Sequence, residues 1–380
     1  MKKQNKTGSI GVVGATAIGV GGMMGAGLYT LLGLSANSAG VWLPVSFLIG
    51  GIVAAFSVYS YSKLGMKYPD RGGTAKFLLK EFGDGLLAGG MNVFQYIGWI
   101  ITMALYATGF AEYACQLLGK SSSGWLGKAI SIGIVIVVVA INIMGSKQVA
   151  RAQTAIIAFE LLILLSFVAV GLTKLHVPTI TSSNSGNIVG ILSAAGLLYV
   201  TYEGFGVVTN AAGSMVNPKK QLPQALFFSL GIVMLIYIVA SVVVVMTLGV
   251  QGAVANQGHV LATAGKLVLG NWGLFITSLI VCIFVVIFPL SAVGEMASLA
   301  FLLVYAMVNL GHLRIAGQAG AKRWILICSV VLNLALFIQT ILNHETLTWI
   351  SVIALLIISF LVELAWRKKN KRNLHWLGKK

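Results

Sequence analysis

The groups in this sequence that could do chemistry are two glycine clusters and five acids, all lying inside apolar runs. The first cluster is Gly19-Val20-Gly21-Gly22-Met23-Met24-Gly25-Ala26-Gly27; the second is Tyr202-Glu203-Gly204-Phe205-Gly206, in the second half of the chain. Glycine weakens a helix interior by about 1 kcal/mol relative to alanine and admits backbone angles that other residues resist. A helix broken there exposes N–H and C=O groups, which hydrocarbon tolerates only where they line a cavity. Those groups are themselves ligands: half-helix N-termini suit an anion such as a carboxylate, and unwound carbonyls suit an ammonium or a sodium ion. A zwitterionic amino acid needs both. The plainer reading is close helix packing, as the small-x-x-x-small spacing of Gly21 and Gly25 would give. Breaks at matching places in two halves of a chain favour the binding reading.

Five of the nine acids, Glu112, Glu160, Glu203, Glu295 and Glu363, fall in apolar runs. An ionised carboxylate at mid-membrane is costly and needs a partner, a proton or an interfacial position. Glu363 precedes Arg367 by four residues at the end of a run, the spacing of an interfacial ion pair. Glu112 and Glu295 lie near outer ends and read as structural or interfacial. Glu203 lies within the second cluster and is a candidate for a site role, proton coupling included. Glu160 sits mid-run in AIIAFELLILL with no neighbouring base, and is either a proton-exchanging coupling site or a neutral acid bonded to an adjacent helix.

The elements that position these groups are membrane helices. The 380 residues are 58% hydrophobic and 9% charged. An average soluble domain is roughly 25% charged. The net charge of +17 sits in short clusters between apolar runs, which argues for membrane loops and against a nucleic-acid partner. A bilayer is spanned by roughly 20 apolar residues. Runs near that length occur at 10–33, 41–62, 86–117, 129–146, 153–173, 187–213, 223–249, 271–288, 290–311, 324–342 and 346–366. With both termini cytoplasmic, as the excess of inside lysine and arginine requires, 22 of the 26 basic residues fall inside, leaving Lys120, Lys128, Lys174 and Lys266 outside. The stretch 271–311 must then cross an odd number of times, yet it reads as two segments. Three crossings would need roughly 60 apolar residues, more than it has. Ten crossings plus one partial segment are expected. The tail 367–380, with Trp366 and Trp376, reads as a basic anchor on anionic lipid.

Cys115, Cys282 and Cys328 lack C-x-x-C spacing, and the five histidines share no metal-ligand spacing, so neither a metal nor a disulfide framework is expected. No phosphate loop, G-x-S-x-G or H-E-x-x-H occurs; neither an enzyme nor a cofactor is indicated.

Four stretches, GVGGMMGAGLYTLLG at the first cluster, YPDRGG from Tyr68 to Gly73, NIMGSKQVARAQ from Asn142 to Gln153, and TYEGFGVVTNAAGSMVNPKKQLPQA from Thr201 to Ala225, resemble the amino acid/polyamine/organocation (APC) superfamily of permeases in order and spacing. SAVGEMASLAFLLVYAMVNLGHLR resembles the family's tenth helix. The resemblance implies an all-α polytopic bundle of five plus five inverted helices with discontinuous helices 1 and 6. The first repeat would run over about 10–173, the second over about 187–311, and two further helices over 324–366, between a cytoplasmic start at 1–9 and the tail at 367–380.

The resemblance also implies a substrate carboxylate on the backbone N–H groups of Gly25, Ala26 and Gly27, and a substrate amine among the carbonyls of Met23, Tyr202 and Glu203, with Gly204 and Phe205 beside them. Several proton-driven relatives carry a lysine near the place of Glu160. Against the family's twelve helices, 271–282 resembles the start of helix 8 and 283–290 the end of helix 9. About two spans' worth of sequence, roughly 50 to roughly 60 residues, is therefore missing between them. About 10–11 segments remain. The expectation is an amino acid permease of the cell membrane, with protons and membrane lipid as further partners. The alternative is a non-transporting amino-acid-binding relative or an inactive, internally deleted permease.

Overall fold

The computed structural model describes residues 10–70, 72–143, 146–173, 186–256, 292–343 and 346–378, which form helices and the turns that join them. The segment 271–288, the site of the missing residues, Lys174, Lys266 and Cys282 lie outside the described residues, as does the side chain of Glu295.

The run 10–33 is two helices, α1 (Val12–Met23) and α2 (Ala26–Ala39). After a positive-φ turn at Gly40 comes α3 (Leu43–Lys67), followed by the short α4 (Gly73–Phe82). Three spans follow, α5 (Leu86–Leu117), α6 (Trp125–Ile143) and α7 (Ser146–Leu172). The run 187–213 is again divided, into α8 (Ile188–Leu198) and α9 (Phe205–Asn210), and α10 (Pro218–Ala255) is kinked at Gly249. The last three are α11 (Ala292–Ala319), α12 (Arg323–Asn343) and α13 (Thr346–Lys369).

The two divided segments lie crosswise, α1 against α9 and α2 against α8, with α3 and α10 packed around them. Ile10 pairs with Met215 by two backbone hydrogen bonds, Ile10 N to Ser214 O (3.2 Å) and Val216 N to Ile10 O (3.4 Å), which ties the start of α1 to the far end of α9.

At that end α4 buries Phe77, Leu78, Phe82 and Glu81 and turns Ala75, Leu79 and Lys80 outward. Glu81, outside the spanning helices, presses against Gly311 of α11, and neither of its carboxyl oxygens has a hydrogen-bond partner among the described residues. Burial pushes its pKa well above the ordinary carboxyl value, because desolvation disfavours the charged form. Below the ordinary value both docked and free α4 hold the proton. As pH rises through the interval up to the docked pKa, only the free helix ionises, so docking weakens. Amide exchange in α4, corrected for intrinsic rates, is expected to quicken as pH rises above the ordinary carboxyl range, and Glu81→Gln should flatten that dependence.

The tail folds back onto the protein. Leu86 N donates to His375 O (2.9 Å), Leu87 N to Trp376 O (3.0 Å) and Gly378 N to Phe82 O (3.0 Å), while Trp376 stacks on Phe360 at 5.3 Å. Arg367 is 2% exposed; it donates to Glu363 and Asp84 carboxylate oxygens and to the carbonyl of Asn373. The Glu363–Arg367 pair follows the expected spacing. The tail's fold-back does not show in its composition; Lys368, Lys369 and Lys371 stay exposed. Breaking a buried pair on one side typically costs about 3–5 kcal/mol. Arg367→Gln is therefore expected to lower the unfolding free energy of the purified chain by about that much, and adding Glu363→Gln should recover part of it.

Candidate functional site

The first break falls at Met24 and Gly25. Met24 N closes the last turn of α1 on Val20 O (2.7 Å), then the backbone turns extended (Met24 ψ 92°, Gly25 φ −132°, ψ −165°) and α2 starts at Ala26. The break therefore lies at the front of the expected Gly25 to Gly27 stretch, and Gly27 is already helical. The first-turn N–H groups of α2 have no partner inside the helix. The second break starts earlier than the glycines: Tyr199–Tyr202 tighten into a 3-10 turn, Glu203 and Gly204 form the corner, and Phe205 opens α9.

The two breaks touch through backbone. A Cβ added at Gly204 would clash with the Gly22 carbonyl, one at Gly22 would lie 2.9 Å from Gly204 O, and one at Gly27 would lie 2.9 Å from the Thr201 side chain. The glycines thus allow close packing at the place where both helices divide.

Tyrosines from three other helices close around this place. Tyr237 of α10 donates to Met23 O (2.7 Å) and lies 3.5 Å from Thr201 O, so one hydroxyl faces a carbonyl of each broken helix. Tyr305 of α11 lies 3.0 Å from Glu203 O and 2.9 Å from Glu203 Oε1. Tyr113 of α5 donates to Tyr29 O on α2 (2.8 Å). The side chain of Tyr202 turns away, its hydroxyl donating to Phe47 O (2.9 Å), and Phe205 packs edge-on against Tyr61 at 5.2 Å and beside Tyr305 at 4.9 Å.

Glu160 of α7 is 1% exposed and shares a hydrogen bond with the Tyr29 hydroxyl, leaving Oε2 without a partner among the described residues. It therefore stands beside the first break, as its place in the sequence suggested, whereas Glu203 stands in the second. Glu112 is half-buried on α5. Tyr29, Tyr237 and Tyr305 were not singled out by the sequence, although a lone tyrosine in an apolar helix is a polar hydroxyl that needs a partner.

Behind the second break, Ser57 of α3 is a buried hub. It lies 3.2 Å from the Tyr199 hydroxyl and 3.4 Å from Ser329 Oγ, and accepts from Asn309 Nδ2 (3.3 Å) and Asn333 Nδ2 (3.1 Å). These bonds pin α3, α11 and α12 together as a frame for the divided helices. No group of three or more His, Cys, Asp or Glu suited to a metal occurs among the described residues.

A family model described as amino acid permease matches residues 10–379. The chain is 29% identical to an uncharacterized protein of Methanocaldococcus jannaschii, covering 94% of this chain and 95% of that protein. It is 26% identical to the inner membrane transport protein YbaT of Escherichia coli K12, covering 95% and 97%, and 24% identical to the branched-chain amino acid permease BcaP of Bacillus subtilis, covering 62% and 54%. The archaeal alignment runs over 414 positions, while 94% of 380 residues is about 357, so about 57 aligned positions have no counterpart in this chain. That number agrees with the two spans' worth of sequence missing by resemblance.

Proposed function

The chain belongs to the amino acid permease family of the APC superfamily, a family of multi-pass membrane transporters, and from that premise we propose that it carries an amino acid across the cell membrane by alternating access around its two broken helices. The observation that carries this reading is the crossed contact of the breaks. It packs Gly27 against Thr201 and Gly22 against Gly204, which supports a site shared by the first-turn N–H groups of α2 and the carbonyls of Met23, Thr201 and Glu203. An α-carboxylate takes the first set and its ammonium the second. Gly204 lets the backbones meet, and Phe205 and Tyr202 hold the corner. Alternating access would move α1 and α9 together, since Ile10 and Met215 tie their ends, against the frame of α3, α11 and α12.

Uptake of labelled amino acids into proteoliposomes, beside equilibrium binding to the same preparation, tests this. Saturable uptake supports it. Binding without uptake supports the second reading, a non-transporting relative, which the roughly 57 absent positions favour.

Both termini are proposed to be cytoplasmic from the placement of lysine and arginine. In cells, Gln318→Cys is expected to react with an impermeant thiol reagent only from the cytoplasmic side and Gln251→Cys only from outside; both positions are exposed. Labelling of both from one side would mean an even number of crossings between them.

A further inference from the structure

A cavity of about 290 Å³ opens between α4, α5 and α9, at the end of the bundle that carries α4. Glu203 lies in its wall, one carboxyl oxygen engaged by Tyr305. Trp99 and Tyr96 of α5 contribute aromatic faces, and Asn92, Gln95 and Asn210 contribute side-chain amides. Trp99 is held edge-on against Phe301 at 5.2 Å, so its ring orientation is fixed by packing. Among the described lining residues Glu203 is the one acid, and no lysine, arginine or histidine joins it.

That composition is one-sided. It offers a carboxyl, two aromatic rings and three side-chain amides able to accept from a positive, hydrogen-donating group, and among the described lining residues no cation for an anion. A primary ammonium fits all three: it donates three hydrogens, pairs with a carboxylate, and is attracted to an indole face within about 6 Å. The cavity is at the small end of ligand sites, and its volume of about 290 Å³ suits a short-chain amine.

We propose that this cavity is a second station for the substrate, binding its ammonium group between Glu203 and Trp99 on the side of the second break that faces α4. The substrate identity rests on the transport reading above. The station itself is a binding site and stands or falls by binding. It makes Glu203 a side-chain ligand for the amine, in addition to the backbone carbonyl it contributes at the break, and it assigns specificity for the cationic end to residues of α5 that the two breaks do not include.

The test uses the full chain purified in detergent, with n-butylamine and n-butyrate as probes of equal chain length and opposite charge. Gln95→Cys, in a chain whose three native cysteines are replaced by alanine, places a thiol in the wall. Butylamine is expected to slow its alkylation and butyrate to leave it unchanged. Glu203→Gln, which keeps the shape, should weaken butylamine protection by roughly tenfold or more. Trp99→Ala should weaken it more than Trp99→Phe, which keeps a π face. Equal protection by butyrate, or butylamine protection unaffected by Glu203→Gln and by Trp99→Ala, overturns the station. Amino acid uptake is followed on the same preparation. Amine protection without uptake keeps the station and removes the transport reading; uptake without amine protection does the reverse.

Discussion

Gly204→Ala is expected to abolish substrate binding and uptake while leaving membrane insertion intact. The methyl would clash with the Gly22 carbonyl and the Met23 amide, and both are backbone, so no rotamer can relieve the contact. Overpacking in a well-packed interior typically costs about 1–3 kcal/mol, and a backbone clash belongs at or above the top of that range. The breaks would part, separating the N–H groups of α2 from the carbonyls of the second break. A loss of about 3 kcal/mol in the aligned state is roughly a 150-fold fall in affinity. Gly27→Val should also abolish binding: its Cβ would meet Thr201 at 2.9 Å, and its branches would crowd the turn whose N–H groups await the carboxylate. Gly231→Ala, in α10, is the control, because nothing lies within 4 Å of its would-be Cβ. Equilibrium binding on monodisperse protein checks the set. Unchanged affinity in Gly204→Ala would show that the substrate is held elsewhere.

These positions were legible because what they require is local. A glycine cluster inside an apolar run announces a broken or closely approached backbone before any partner is known, and both clusters are where α1 and α2, and α8 and α9, divide. The boundaries were not, since they depend on tertiary partners: the second break starts at Tyr199, whose hydroxyl meets Ser57 of α3, 142 residues away. The tyrosine closures were hidden for the same reason, Tyr237 and Met23 being 214 residues apart and Tyr305 and Glu203 being 102. The fold-back of the tail was not legible in its composition. Its seven basic residues give no sign that Arg367 pairs with Asp84, which lies 283 residues earlier in the chain, as well as with Glu363.

The other large effect concerns the two carboxyls. Glu160→Gln is expected to keep substrate binding and exchange and to remove the dependence of uptake on a pH gradient. Glu160 bonds to Tyr29 on α2 and acts electrostatically on Tyr237, which holds Met23 O, so in the proposed cycle a change in its protonation would bear on the first break. In the packed arrangement it has one hydrogen-bond donor and an oxygen with no partner among the described residues, which serves a neutral acid better than a carboxylate. An ionised Glu160 needs further donors, and water entering an opened cavity would supply them; proton release would thereby be tied to opening. Glutamine keeps the shape and holds the neutral state permanently, so the opening no longer consumes a proton.

Glu203 is the competitor, and its surroundings point to a different loss. It lies in the second break with Tyr305 on both its carbonyl and its carboxyl, and it lines the cavity assigned above to the ammonium. Glu203→Gln should therefore raise the KM for uptake by roughly tenfold, the weight of a lost charged hydrogen bond, while accumulation at saturating substrate still follows the gradient. Gradient-driven accumulation measured in proteoliposomes at fixed internal pH separates the two. If Glu160→Gln accumulates fully and Glu203→Gln does not, the proton travels on Glu203. If both variants accumulate like the parent chain, coupling does not run through a membrane carboxylate.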